Sequence, residues 1–294
     1  MNEETGALID GTAGPAVVVE NYSFQYNEAK RRAVRDLTFT VEKGSFVCIV
    51  GSNGSGKSTL CNALVGLIPH YFVGKYAGMI RVDGVAVASS SVAELSKTIG
   101  LVFQNPFNQL SYTAETVAEE LAFGLGNQGI AREEMRRRVA EVAKIMRIEH
   151  ILEKNPLELS GGQVQRVAFG SAFIMEPEIL VLDECTTQLD PLGGEELIDI
   201  VKRLNSTGVT VIMVDHDMER VARNADKVLV LDRGRLLAQG SPREIFAHAA
   251  HCVAGVDAPD YVKVSRALAT EGLGTGGIEI TEEPTVELIR KALL

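Results

Sequence analysis

The sequence predicts an α/β fold whose core is a mainly parallel sheet, and three observations carry that expectation. Three continuous apolar runs, FVCIV at 46–50, EILVLDE at 178–184 and VTVIMVD at 209–215, lack the alternation of a half-solvated strand. They read as strands buried on both faces, the condition of a parallel sheet covered by helices. The segments before the second and third runs have helical character, and the first run opens directly into a glycine-rich loop, VGSNGSGKSTL from Val50 to Leu60.

The elements follow in order. Val17–Tyr26 (VVVENYSFQY) is rich in β-branched and aromatic residues, and LTFTV at 37–41 alternates with period two, as a half-buried strand does. The polar NEAKRRAVRD between them fits a hairpin connection. After the glycine loop, KSTLCNALVGLI has helical periodicity, and MIRVDG returns as a strand ending in an Asp-Gly turn. TIGLVFQN reads as another core strand. From Tyr112 to about Pro156 the chain becomes a largely helical insert, with AETVAEELAFG and REEMRRRVAEVAKIM both spaced i, i+3, i+4, i+7. ADKVLVLDRGRLLAQG reads as a hairpin around Asp232–Gly234. From about Ser241 come short helical segments, a GLGTGG stretch and a last amphipathic segment, TVELIRKALL.

Bulk properties narrow the function. A chain of 294 residues accommodates one large domain with an appendage. No tract reaches the ~18 consecutive apolar residues that span a bilayer. The acidic MNEETGALIDGTAG lacks the apolar region of a secretory signal. A formal charge of −10 argues against bulk attraction to nucleic acid, and no nucleic-acid partner is expected. Cys48, Cys61, Cys185 and Cys252 are dispersed with no CxxC pair, so neither a zinc pattern nor a disulfide framework is expected. A soluble cytosolic chain is the default.

The chemistry sits in three places. In the loop, Gly51, Gly54 and Gly56 allow backbone angles and close approaches that a Cβ would block. The amides of Ser52, Asn53 and Ser55 can then face a phosphate chain beside a helix start. Lys57 can neutralise phosphate charge, and Ser58, followed by Thr59, can place its hydroxyl on Mg²⁺. GxxxxGK[ST] arises by chance about once in a hundred chains this long. EILVLDE supplies Asp183, placed to hold a metal-bound water, and Glu184, placed to polarise an attacking water. LSGGQVQR, Leu159 to Arg166, reads on its own as a helix start with Ser160 as N-cap. LSGGQ should occur by chance in fewer than roughly one in a thousand such chains.

With these motifs in this order, the chain resembles the ATP-binding cassette (ABC) family over nearly its whole length. The resemblance implies a nucleotide-binding domain over 1–245, with a RecA-like sheet core, an antiparallel β region and a helical subdomain at about 108–164. A mainly helical extension, 246–294, would follow, packed either on its own domain or against a dimer partner. It implies MgATP hydrolysis at two composite sites, where Ser160, Gly161, Gly162 and Gln163 of one subunit close over nucleotide bound by the other. Tyr26 matches the aromatic that stacks on adenine, Gln104 the glutamine that contacts Mg²⁺ and the lytic water, and His216 the switch histidine at the γ-phosphate. Asp190 matches the loop that crosses the dimer interface. Cys185 departs from the usual proline after the catalytic glutamate.

A short insert without heptads sets aside the coiled-coil chromosome ATPases, and a single cassette sets aside the two-cassette translation factors. VFQNPFNQL, ETVAEELAFG, GLIPHYFVGKYAGMIRVDG and the modest tail resemble the ATPase subunits of energy-coupling factor (ECF) transporters. That implies a peripheral subunit on the cytoplasmic membrane face, paired with a second ATPase subunit. A transmembrane coupling subunit and a small membrane substrate-capture subunit complete the implied assembly, for a vitamin, vitamin precursor, or cobalt or nickel ion. The alternatives are a conventional binding-protein-dependent importer and a soluble ABC ATPase acting on a macromolecule. Pro106, Phe107 and Leu110 are either apolar contacts to the coupling subunit or packing inside the insert. Val286, Ile289 and Leu293 form a stripe that faces either their own domain or a dimer partner.

Overall fold

The computed structural model describes residues 14–247, 256–273 and 277–292; Cys252, Leu293 and the first thirteen residues fall outside them. Val17–Tyr26 (β1) and Val34–Val41 (β2) form the expected antiparallel hairpin. Phe46–Val50 (β3) then leads into the helix Lys57–Leu64 (α1). The helix does not run on through Ile68 as its periodicity suggested. Gly66 adopts a left-handed φ of 79°, the Gly66 amide closes back on Ala63 O, and a separate turn, Leu67–His70 (α2), follows. Glycine just past a helix end stops it in this way because it alone takes that conformation without strain. Gly74–Val82 (β4) starts five residues earlier than MIRVDG indicated and pairs with β1; Val85–Ala86 (β5) folds back on it across Asp83–Gly84. The four strands make an antiparallel sheet of order β2-β1-β4-β5.

After a short helix, Val92–Leu95 (α3), comes Ile99–Val102 (β6). The insert is Val117–Asn127 (α4) and Arg132–Met146 (α5), packed on Gly161–Phe173 (α6). Ile179–Asp183 (β7), Pro191–Ser206 (α7), Thr210–Val214 (β8), Met218–Asn224 (α8) and the hairpin Lys227–Asp232 (β9) and Arg235–Gly240 (β10) complete the core. The second sheet has the order β10-β9-β3-β8-β7-β6, with β9, β3, β8, β7 and β6 parallel and β10 antiparallel at one edge.

Why the central strands read as unbroken apolar runs is now visible. Successive side chains on a strand face opposite ways. Val47, Ile49, Val181, Ile212 and Val214 pack toward α1 and the antiparallel sheet, whereas Phe46, Cys48, Val50, Leu180, Leu182 and Met213 pack toward α6, α7 and the insert. Each fully buried Ile or Leu contributes roughly 1.5–3 kcal/mol relative to exposure. Because β3, β7 and β8 are parallel, the loops leaving their C-terminal ends gather at one edge, where ligands of open α/β sheets bind.

The tail follows Pro242–Ala247 (α9) with Asp260–Thr270 (α10) and Glu282–Ala292 (α11). Val256, Ala258 and Val262 join the main core, so α10 packs on its own domain. On α11, Ile289 is half-buried and Val286 exposed.

Candidate functional site

The glycine loop spans β3 to α1. Gly56 immediately precedes α1 at φ 104°, where a side chain is strained, and a Cβ there would lie 2.7 Å from Ala33 O. Helix α1 has no side-chain cap and no acidic residue in its first turn. Its first amides therefore have no partner inside the helix, which makes this end a seat for an anion. Lys57 is buried, and its Nζ donates to Gly51 O (2.8 Å) and Ser52 O (3.1 Å) across the loop mouth.

Two acids stand behind it. Asp183 ends β7 only 7% exposed, and its Oδ1 has no hydrogen-bond partner. Burial pushes its carboxyl above the usual range, while a hydrogen bond with Ser58 pulls it down, Glu184 pushes it up and Lys57 pulls it down. An orphaned, buried carboxylate oxygen beside a serine hydroxyl supplies oxygen ligands that a hard divalent cation takes, and the Lys57 ammonium beside them suits a phosphate. These residues therefore fit Mg²⁺ with a phosphate chain. Glu184 Oε1 lies 3.8 Å from Lys57 Nζ, and Gln104 Nε2 donates to Glu184 Oε2 at 2.6 Å. Glu184 itself has φ 48°. Such backbone strain in a non-glycine residue persists only where the surroundings enforce it, and it concentrates at functional sites.

The structure thus brings Lys57, Ser58, Asp183, Glu184 and Gln104 together. Tyr26 joins them from the hairpin: its hydroxyl lies 3.3 Å from Thr59 Oγ1, and its ring meets Phe24 edge-on at 4.8 Å. His216 is exposed two residues beyond Val214, which is in register with Asp183 on the neighbouring strand. Among the described residues no hydrogen bond joins its ring to Glu184. Ser160 to Gln163 stand apart from this group. Ser160 caps α6, accepting from the Gln163 amide, while Gln163 Oε1 accepts from Ser160 N–H at 3.0 Å. A Cβ on Gly161 would meet nothing within 4 Å. The subunit's own packing therefore does not require glycine there. Among the described residues no hydrogen bond or ion pair connects 160–163 with 51–59. Asp190 precedes α7 as its N-cap residue, and a buried Cys185 follows Glu184, its thiol pushed up to about 12 by burial.

Sequence reasoning missed two supports. Phe72, from the PHYFVG stretch, lies edge-on to Tyr26 at 6.4 Å. Gln109 anchors the segment after Gln104: its Nε2 donates to Leu101 O and Ala168 O, and its Oε1 accepts from Phe103 N–H. The pair of side-chain amides between Phe107 and Leu110, Asn108 and Gln109, was the available signal.

The Asp183 environment has a measurable consequence. Its raised folded-state pKa means the ionised form is less favoured in the folded chain than in the unfolded one. The penalty is absent below the unfolded pKa and complete above the folded one. Asp183→Asn removes it, so thermal unfolding followed by calorimetry should show a higher Tm, with the gain larger at about pH 8 than at about pH 4. A lower Tm across that range would contradict this account.

The comparisons agree with the geometry. A family model described as ABC transporter matches residues 34–187. The energy-coupling factor transporter ATP-binding protein EcfA1 of Bacillus licheniformis is 40% identical over 274 residues, which are 92% of this chain and 94% of that protein. CbiO1 of Clostridium perfringens, described as part of the ABC transporter complex cbiONQ, aligns with a TM-score of 0.71 at 32% identity, covering 88% of this chain and 97% of CbiO1. The ATP-binding cassette MJ0796, solved as a dimer bound to ADP and phosphate, aligns with a TM-score of 0.69 at 29% identity over 77% of this chain and 99% of its own. With the loop, the paired acids and the LSGGQ helix in this order, the chain belongs to the ABC transporter family and is an ABC-type ATPase, similar along most of its length to ECF transporter ATP-binding subunits.

Proposed function

We propose that the chain is the ATP-hydrolysing subunit of an ECF-type importer, driving uptake of a vitamin, a vitamin precursor, or a cobalt or nickel ion through separate membrane subunits. The observation that carries this reading is similarity to an ECF ATP-binding subunit over 92% of the chain. Tyr26 stacks on adenine, and the amides of residues 51–59 with Lys57 bind the phosphates. Ser58, Gln104 and Asp183 would hold Mg²⁺, which would neutralise charge on the phosphate oxygens. Glu184 takes the proton of the attacking water, oriented by Gln104, and His216 contacts the γ-phosphate. Ser160 to Gln163 of a second ATPase subunit close over that phosphate. Catalysis of this kind is mainly positioning and charge stabilisation of an in-line transfer.

No described helix is long and apolar enough to cross a membrane. In this reading the membrane link runs through partner subunits. A groove of about 580 Å³ between α4 and α5, floored by Ala118, Ala122, Met135, Val139 and Leu152, has the exposed Phe123 at its edge. Just after Gln104, Phe107 is 46% exposed while Pro106 and Leu110 are buried. Of the three apolar residues there, only Phe107 is free to meet a partner. A helix of the transmembrane coupling subunit docks on these exposed apolar groups, at the cytoplasmic side of the membrane.

The test is affinity purification of the tagged chain from gently solubilised membranes, with the co-purifying proteins identified by mass. A coupling subunit plus one small integral membrane protein supports the proposal; a pair of large permeases overturns it. Phe107→Asp and Phe123→Asp should each weaken capture at least ~30-fold, the cost of a contact worth about 2 kcal/mol. Both should keep the wild-type circular dichroism spectrum, and retained membrane association would remove this face from consideration.

A further inference from the structure

Two loops carry the proposed catalytic groups, the segment after β7 with Glu184 to Asp190 and the segment after β8 with Asp215 to Asp217. The strands fix their roots, where Glu184 N–H donates to Val214 O at 3.2 Å. Beyond the roots, one side chain among the described residues joins them. Arg220, on α8 and mostly buried, donates through Nη1 to Asp215 Oδ2 at 3.0 Å and to Thr186 Oγ1 at 3.2 Å. Its Nε reaches Glu195 on α7 at 3.4 Å, and its Nη2 lies 3.3 Å from Asp217 Oδ2.

Asp215 converts that bond into a position for His216. It is 3% exposed, and its Oδ1 accepts the amides of His216 (2.7 Å) and Asp217 (2.9 Å). One carboxylate therefore sets the backbone that presents the His216 ring, and Arg220 holds that carboxylate. The same Nη1 grips Thr186, two residues past Glu184. Arginine is suited to this because its planar fork keeps several donors in fixed directions, whereas a lysine offers a point charge. Every partner of Arg220 and Asp215 is a protein group, and neither is assigned to nucleotide in the proposed site, so their effect on turnover passes through their neighbours.

We propose that Arg220 is a positioning residue for ATP hydrolysis, locking the His216 loop to the Glu184–Asp190 segment through Asp215 and Thr186. The inference rests on the role given to His216. Arg220→Ala should lower kcat on the order of 10–100-fold, as loss of an orienting partner does. The dissociation constant for a fluorescent ATP analogue should stay within about two-fold of wild type. Arg220→Lys should recover only part of the loss.

Because Arg220→Ala leaves Asp215 buried without its cation, Thr186→Val supplies a variant that spares this pair and the side-chain volume. It should lower kcat roughly 3–10-fold with unchanged Tm. The discriminating measurement is a double-mutant cycle on single-turnover rates. If Arg220 acts through His216, Arg220→Ala adds nothing in a His216→Ala background. Full additivity, or wild-type kcat in both Arg220→Ala and Thr186→Val, overturns the inference while leaving the ATPase site intact. A His216→Ala chain with wild-type turnover overturns the site assignment and this inference together.

Discussion

Replacing Glu184 with Gln lowers ATP turnover by on the order of 10²–10⁴-fold while nucleotide binding is retained. The substitution preserves shape, so the amide can still accept from Gln104 Nε2, which now reaches Glu184 at 2.6 Å. What it removes is the only feature a general base needs, an acceptor for the proton of the attacking water. It also removes a negative charge 3.8 Å from Lys57 Nζ. The phosphate seat becomes more positive, so affinity for ATP should hold or increase. The expected result is therefore a kcat effect without a rise in KM, the signature of an interaction made in the transition state. It is read from single-turnover hydrolysis beside equilibrium titration, with an ATP-bound dimer accumulating on size exclusion. Turnover within about three-fold of wild type would move the base elsewhere.

That result would rest on residues largely legible in the sequence, for a physical reason. The glycine loop, the paired acids and the capped helix are local: each needs particular residue types within a few positions, because backbone amides and short side chains do the work. The parallel strands were legible because burial on both faces removes alternation. What the sequence obscured was long-range or depended on one residue's conformation. Gly66 ended α1 where the apolar period continued, although glycine followed by Pro69 was a usable stop signal. Phe107 and Leu110 are equally apolar in sequence; only the packing of α6 and the anchor at Gln109 separate exposed from buried. Arg220 carried no signal, since its partners Thr186 and Glu195 lie 34 and 25 residues away.

The second large effect concerns Gly161, and it tests whether the site is built from two subunits. Within one subunit Ser160 to Gln163 serve only to start α6, and a side chain at Gly161 would project into open space. Gly161→Asp should therefore fold normally, yet place a carboxylate where the partner's γ-phosphate must lie. Lys57→Ala should fail for a different reason, losing the buried ammonium that the proposed mechanism sets against the phosphates. Each variant alone should retain less than about 1% of turnover. In a two-fold dimer each composite site joins the loop of one subunit to the LSGGQ helix of the other. A mixed dimer then carries both defects in one site and leaves the second intact. Random mixing makes half the dimers mixed, so the pooled variants should regain about a quarter of wild-type turnover for independent sites. ATP-driven dimerisation should return alongside it. A mixture that stays inert and fails to dimerise would mean that the two motifs do not meet across an interface. A Gly161→Asp chain that hydrolyses ATP normally would show that the LSGGQ helix does not face phosphate at all.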